Sequence, residues 1–220
     1  MSTNPSVVRT LAADDVSAAS QTGAQDLNLA RERQPVSVTD GSNASNAAIR
    51  AEQPSDRVVI AEVVCGAFGS PVEARLVEAI RASSNFVPDW SLVAELRGQV
   101  VAQVMVSYAI LRDGAKEHRI ANLSPLAVAP TVQGRGIGSA LVRAVTARVD
   151  EAGEPLVVLE GSPTFYGRLG FEYSVLRGIT ITLPTWAPAE AAQMLRLRNY
   201  DATIRGHVVY PSAFDAVAEH

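Results

Sequence analysis

The residues best suited to chemistry lie between positions 123 and 141, in the run LSPLAVAPTVQGRGIGSAL. Leu126, Ala127 and Val128 end an apolar strand. Gln133, Gly134, Arg135, Gly136, Ile137 and Gly138 make a turn, and Ser139 continues into a helix. Such a turn aims several main-chain N–H groups at one point, at the positive end of the helix dipole. That point suits an anion, phosphate above all. Gly134, Gly136 and Gly138 carry no Cβ, so a ligand can lie directly on the backbone. Two phosphate-binding patterns fail here. A P-loop ends in Lys-Ser or Lys-Thr, and this turn has no Lys. The dinucleotide fingerprint is Gly-x-Gly-x-x-Gly, whereas the spacing here is Gly-x-Gly-x-Gly.

A third pattern fits: Gln/Arg-x-x-Gly-x-Gly/Ala just after a Val-bearing strand. Gln133, Gly136 and Gly138 fill it, and Val128 stands at the strand end. On these residues the chain resembles the GNAT superfamily of acetyl-CoA-dependent N-acetyltransferases. The resemblance implies that the turn cradles the pyrophosphate of coenzyme A. Cofactor contacts would then come from Leu126, Ala127, Val128, Gln133, Gly134, Arg135, Gly136, Ile137, Gly138 and Ser139. A second signature lies downstream. Pro155 to Leu159 reads as a buried parallel strand. Glu160-Gly161-Ser162-Pro163 follows, and then Phe165-Tyr166-Gly167-Arg168-Leu169-Gly170-Phe171 resembles the family's aromatic pair followed by Gly-Phe. The resemblance makes Tyr166 the acid that protonates the departing thiolate of coenzyme A. A thiol of pKa about 8.5 leaves more easily when a donor supplies its proton. A phenol can supply one from an apolar pocket because it is neutral at pH 7. On its own, Tyr166 would read as a packing aromatic. Many members carry an Asn in the loop that here holds Gly161, Ser162 and Pro163. This short form resembles the YhbS-type bacterial branch.

The resemblance implies direct transfer of an acetyl group to a primary amine of a small molecule or peptide, with acetyl-CoA as co-substrate and no metal. The N–H of Val128 is expected to bind the acetyl carbonyl. Pro125 offers no N–H to a sheet ladder, so it marks an irregular place in its strand, and a bulge there would free main-chain donors. An alkylamine of pKa about 10.4 must lose a proton before it attacks. Glu95, His118, Glu160 and a water near Ser124 are the candidate bases. His118 lies ten residues before Val128, roughly 33 Å along a strand, so it is out of direct reach. The base stays unassigned. A non-catalytic acyl-CoA sensor, a scaffold protein and a transferase of a longer acyl group remain as alternatives. Trp186 and Tyr200 lie where the family often builds its acceptor pocket, and both also read as ordinary core or edge aromatics.

The elements that must position these residues alternate from residue 46 onward. A strand is expected over Ala47 to Ala51 and a helix over Asp56 to Ala67. Ser70-Pro71-Val72-Glu73 has the form of a capping box, and Val72, Leu76 and Ile80 then recur at helical spacing. Strands follow at Ser91 to Arg97, Val100 to Leu111 and His118 to Val128, with turns at Arg97-Gly98 and Asp113-Gly114. Ile137, Leu141, Ala144, Val145 and Val149 share one face of the helix that ends near Asp150. Strands are expected at Ile179 to Leu183 and Gly206 to Tyr210. Ala189 to Leu197 is helical by composition, while the family pattern puts a strand at Met194 to Leu197. The order matches the acyl-CoA N-acyltransferase fold: α/β, with a mixed, mostly antiparallel central sheet and helices on both faces.

Residues 1 to 45 are polar and Ala-rich, with no aromatic before Phe68. They bury too little to offset ordering entropy and read as a flexible N-terminal extension with a transient helix near Ala24 to Arg33. The resemblance implies that residues 46–220 form an acetyltransferase domain. Of the 220 residues 47% are hydrophobic, enough for one core, and the net charge of −4 with no long basic run argues against nucleic acid or an anionic membrane surface as partner. Cys65 is the single cysteine and reads as a small buried core residue. No segment reaches the roughly 18 apolar residues of a membrane span, and no signal peptide is evident. A cytoplasmic protein is expected, with assembly as a homodimer left open.

Overall fold

The computed structural model describes residues 47–217, so the expectations for residues 1–45 lie outside it. A short strand, β1 (Ala48–Ala51), leads through a 3-10 turn at Pro54–Asp56 into α1 (Arg57–Phe68) and α2 (Val72–Arg81). Asp56 accepts the N–H of Gln53 at 2.7 Å and pairs with Arg50, which closes the corner before α1 begins. Gly69, at φ 67°, ends α1 in the left-handed conformation that glycine tolerates. At α2 the expected cap is shifted by one residue. Ser70 Oγ accepts the N–H of Val72 at 3.1 Å, and Pro71 is the cap rather than the first helical residue.

β2 (Phe86–Leu96), β3 (Gln99–Asp113) and β4 (Lys116–Val128) form an antiparallel meander of long apolar runs. Then come α3 (Ile137–Glu151), β5 (Leu156–Glu160), α4 (Pro163–Gly167), β6 (Glu172–Tyr173), β7 (Ile179–Thr180), β8 (Ala192–Arg196) and β9 (Gly206–Val209). The sheet order is β1-β2-β3-β4-β5-β8-β6, with β9 pairing β3 and β7 pairing β9. Among the described residues only β4–β5 and β7–β9 run parallel, so the sheet is mixed and mostly antiparallel as expected. α3 packs on one face, over Leu92, Val104, Leu123 and Leu126. α1 and α2 pack on the other, over Val93, Met105, Ala127 and Phe214.

Two local expectations change, and a third segment takes the state that the family pattern gives it. The 189–197 segment is a 3-10 turn followed by strand β8, as the family pattern implies, because pairing with β5 along all five residues overrides its helix-forming composition. The strand expected over Ile179 to Leu183 stops at Thr180, where its pairing with β9 ends. Cys65 is part-buried against the α1–α2 core rather than fully enclosed.

Two irregularities of β4 open the sheet beside the glycine turn. Val104 faces Leu126 and Val106 faces Leu123, so β4 carries one more residue than β3 between these pairs. That is the expected bulge, at Ser124–Pro125, whose peptide bond is cis. On its other edge β4 pairs with β5 only at Ala121↔Val157 and Asn122↔Val158. From Leu123 to Val128 that edge has no strand beside it among the described residues. The sheet is split there.

Candidate active site at the split between strands

The glycine turn lies against the split. Gln133 Nε2 donates to Val128 O at 2.9 Å, which ties the turn to the strand end. Gly134 (φ 74°) and Gly136 (φ 77°) are left-handed and exposed, and a Cβ at either would meet open space. A ligand can therefore approach the backbone at both. Gly138 differs. It is buried, and a Cβ there would touch Val128, Leu126 and Phe165 at 3.5–3.7 Å. Its small size serves packing of α3 on the sheet rather than ligand approach. α3 starts at Ile137, two residues before Ser139, and its first intrahelical bond runs from Ala140 N to Gly136 O. The N–H groups of Ile137, Gly138 and Ser139 precede that ladder, and no side chain caps the helix. Arg135 is exposed and Ser139 part-exposed beside them.

Strand parity determines which main-chain groups face the split. Ala129 N donates to Val101 O at 2.8 Å. In an antiparallel ladder bonded pairs alternate, so Ala127 and Ala129 bond β3 while Leu126 and Val128 turn their N–H and C=O to the opposite edge. The Gln133 bond to Val128 O, made on that open side, agrees. The side chains of Leu126 and Val128 face α3, and that of Ala127 faces α1 and α2.

Tyr166 sits on the α3 face. Pro163 starts α4, and Ser162 Oγ accepts the N–H of Phe165 at 3.3 Å. The Tyr166 ring is fully buried, edge-on to Phe165 (4.8 Å) and Phe171 (5.3 Å). It shares one packed cluster with Leu126, Val128 and Ile137. Its hydroxyl has no hydrogen-bond partner among the described residues, and burial pushes its pKa well above the usual phenol value. The group therefore holds its proton at neutral pH. Residues separated along the sequence, the turn at 133–139 and Tyr166, are thus brought to one side of the split.

The four candidate bases separate cleanly. Glu95 Oε1 is engaged by Arg50 at 2.5 Å. His118 is exposed, opposite Leu111 at the far end of the hairpin. Ser124 is buried with its Oγ unpartnered. Glu160, the last residue of β5, is only 5% exposed, and its Oε1 accepts the Tyr210 hydroxyl at 2.6 Å. Burial pushes the Glu160 carboxyl up to about 8, with the Tyr210 hydrogen bond pulling the other way. Tyr210 follows β9, 50 residues from Glu160, and no local pattern marks it as a partner.

The matching family description is a GNAT acetyltransferase domain, over residues 48–174, more than half of the chain. The chain belongs to the GNAT acetyltransferases. It is an N-acetyltransferase related to the YhbS-type proteins. YjhQ of Escherichia coli, described as an uncharacterized N-acetyltransferase, is 31% identical over 156 residues, which cover 70% of this chain and 86% of YjhQ. The crystal structure of E. coli YhbS in complex with CoA superposes with a TM-score of 0.68 at 28% identity, covering 84% of this chain and 96% of that one. A Brucella melitensis GNAT acetyltransferase in complex with acetyl-CoA gives 0.62 at 31% identity, covering 76% and 97%.

In this acetyltransferase the short loop after β5 is anchored at both sides. Gly161 N donates to Ala191 O at 2.9 Å, and Gly161 O accepts Gln193 Nε2 at 3.2 Å. Trp186 is 59% exposed, and Tyr200 is part-buried on the core beneath β7 and β9, with the Arg196 guanidinium 5.8 Å from its ring centre. No described helix is long and apolar enough to cross a membrane.

Proposed function

We propose that this chain transfers an acetyl group from acetyl-CoA to a primary amine of a small molecule or peptide, by direct attack with both bound. The observation that carries the reading is the Tyr166 hydroxyl, enclosed without a partner in the cluster that also holds Leu126 and Val128. An unsatisfied buried hydroxyl costs about 1–3 kcal/mol. A module that only bound acyl-CoA would have no use for it, which favours the enzyme over the sensor. The residues present fit the co-substrate. Gly134 and Gly136 leave space over the turn for a diphosphate, and the free N–H groups at the start of α3 favour its charge.

Acetyl-CoA supplies an acyl thioester. The N–H of Val128, on the unpaired edge of β4, donates to the acetyl oxygen and stabilises the charge that grows there. One comparable donor elsewhere is worth about 2.7–4 kcal/mol. Tyr166 gives its proton to the departing sulfur. The CoA and acetyl-CoA bound by the two related crystal structures support this choice of co-substrate.

The test is a thiol-release assay with acetyl-CoA against amines, amino acids, aminoglycosides and peptides, run on the parent chain and on Tyr166→Phe. The variant should bind acetyl-CoA as the parent does and turn over roughly 10²–10⁴-fold more slowly. Its melting temperature should not fall, because the hydroxyl it loses makes no hydrogen bond. An unchanged rate removes Tyr166 from the mechanism.

A further inference from the structure

The split between β4 and β5 has a second face, opposite α3. Val106 of β3 and Ala121 and Leu123 of β4 pack in the α3 cluster, so Ser107, Asn122 and Ser124 alternate to the other side. Ser107 and Asn122 are paired across the two strands. Met105, two residues to one side of Ser107, lies in the α1–α2 core. Ala109, two residues to the other side, lies in the core beneath β7 and β9. A polar seam therefore separates two apolar clusters on one face of the sheet. Asn122 is the last β4 residue paired with β5, and Ser124 follows on the unpaired edge, so the seam runs into the split. Tyr210 packs against both clusters, and Glu160 accepts its hydroxyl at 2.6 Å beside the end of β5.

The seam is enclosed. Ser107 and Asn122 are 0% exposed and Ser124 is 1% exposed. Four side-chain atoms, Ser107 Oγ, Asn122 Nδ2 and Oδ1 and Ser124 Oγ, make no hydrogen bond among the described residues. Buried polar atoms nearly always have a partner. Apolar side chains would pack here without leaving any unmet, as they do in both flanking clusters. Among the described residues no lysine, arginine or histidine is buried. A carboxylate placed in the seam would thus lie without a cation, near the Glu160 carboxyl. What the seam complements is an uncharged group that both donates and accepts hydrogen bonds.

We propose that this seam selects the acceptor, and that the acceptor is a compact amine carrying an uncharged carboxamide or hydroxyl group. The proposal rests on the acetyltransferase reading. The amine must meet the thioester at the unpaired edge of β4, and the α3 side of that edge is packed with Leu126, Val128, Phe165 and Tyr166. The seam supplies polar atoms on the other side. Asn122 Nδ2 donates to the oxygen of the ligand's carboxamide or hydroxyl, and Asn122 Oδ1 accepts from its N–H or O–H. Ser107 Oγ, across the strand pair, serves the same group. Ser124 stands between that group and the thioester. Asn122 and Ser124 are two residues apart, at most about 7 Å along a strand, so only a few bonds separate the polar group from the amine. Enclosure on this scale suits a small molecule rather than a peptide, which needs an open groove for its flanking residues.

The experiment measures thiol release from acetyl-CoA with β-alaninamide, 3-aminopropan-1-ol, β-alanine and butylamine, compared as kcat/KM on the free-base concentration of each amine. The melting shift that acetyl-CoA causes is measured alongside. The parent should prefer the amide or the alcohol to butylamine by as much as about 10⁴-fold, the range of a site that hydrogen-bonds its substrate, and should disfavour β-alanine. Asn122→Leu, close to parental volume, should cut that preference to the roughly 10-fold range of an apolar pocket, chiefly through KM. It should keep the acetyl-CoA melting shift. Its unliganded melting temperature should not fall, because the two polar atoms it loses have no partner among the described residues. Ser107→Ala should lose a smaller part of the preference, and it decides the matter if Asn122→Leu does not fold. A parent that takes butylamine as well as the amide and the alcohol, or that prefers β-alanine, overturns the proposal and leaves the acetyltransferase reading intact. A parental preference retained in the folded variants does the same. An acetyl-CoA melting shift with no thiol release to any of the four amines overturns the acceptor class alone. A parent chain with neither a melting shift nor thiol release overturns the acetyltransferase reading and this proposal together.

Discussion

On the α3 face of the split, the polar groups come from two short runs, residues 126–139 and Tyr166 with its neighbours. On the opposite face they come from β4, the end of β5 and the chain after β9, with Glu160 and Tyr210 50 residues apart. The first face holds exposed glycines, free main-chain N–H groups and a hydroxyl with no partner. The second holds a buried carboxyl already engaged by a phenol. The contrast separates two tasks. A diphosphate is bound by backbone, which one local turn can supply. A carboxyl whose titration is shifted by burial needs an enclosed place, and burial is made by packing distant segments.

The largest expected effect comes from breaking the first face. Gly136→Glu puts a carboxylate at φ 77° beside the anion site. It should abolish the melting rise caused by acetyl-CoA, which at 100 times its dissociation constant is worth about 2.7 kcal/mol. The strained backbone should lower the unliganded stability by about 1–2 kcal/mol as well. A melting rise that survives in calorimetry would take the diphosphate away from this turn.

A middle-sized effect sharpens the second face. Unfolded, the Glu160 carboxyl titrates near 4.5; folded, it titrates near 8. Between these values the folded chain holds a proton that the unfolded chain has lost. The stability linked to Glu160 is therefore complete below 4.5, falls as pH rises to about 8, and is flat above. Glu160→Gln should remove that decline and make the chain more stable than the parent on the alkaline side, with little difference on the acid side. Urea unfolding midpoints across the range check it, and parallel curves for the two proteins would refute the buried-carboxyl account.

The smallest effect lies where the turn joins the strand. Gln133→Ala removes the bond to Val128 O and should cost about 1 kcal/mol of stability. It should also raise the KM for acetyl-CoA more than it lowers kcat, since the turn loses its tether while Tyr166 is untouched. A kcat loss with KM unchanged would reverse that assignment.

The elements up to β5 were largely legible because their cues are local: apolar periodicity in α2 and α3, the glycine turn before α3, the Arg97-Gly98 and Asp113-Gly114 turns. The bulge at Ser124–Pro125 followed from proline's missing N–H. β8 was ambiguous because Ala, Gln, Met and Leu favour a helix in isolation, and only β5 and β6 alongside make a strand the better state. Gly138 resembled its neighbours in the turn, and its separate role became visible only with Val128 and Phe165 packed around it.

Neighbouring residues were enough to place the glycine turn at the start of α3, because a helix start and its preceding glycines are set by the residues next to them, whereas Tyr166 stood out only through the family resemblance of the run from Phe165 to Phe171. Packing was needed to show that β4 and β5 part company after Asn122, that Val128 turns its N–H to the gap, and that Tyr210 meets Glu160. Those are facts of register and burial, and they exist only once segments far apart in the chain lie side by side.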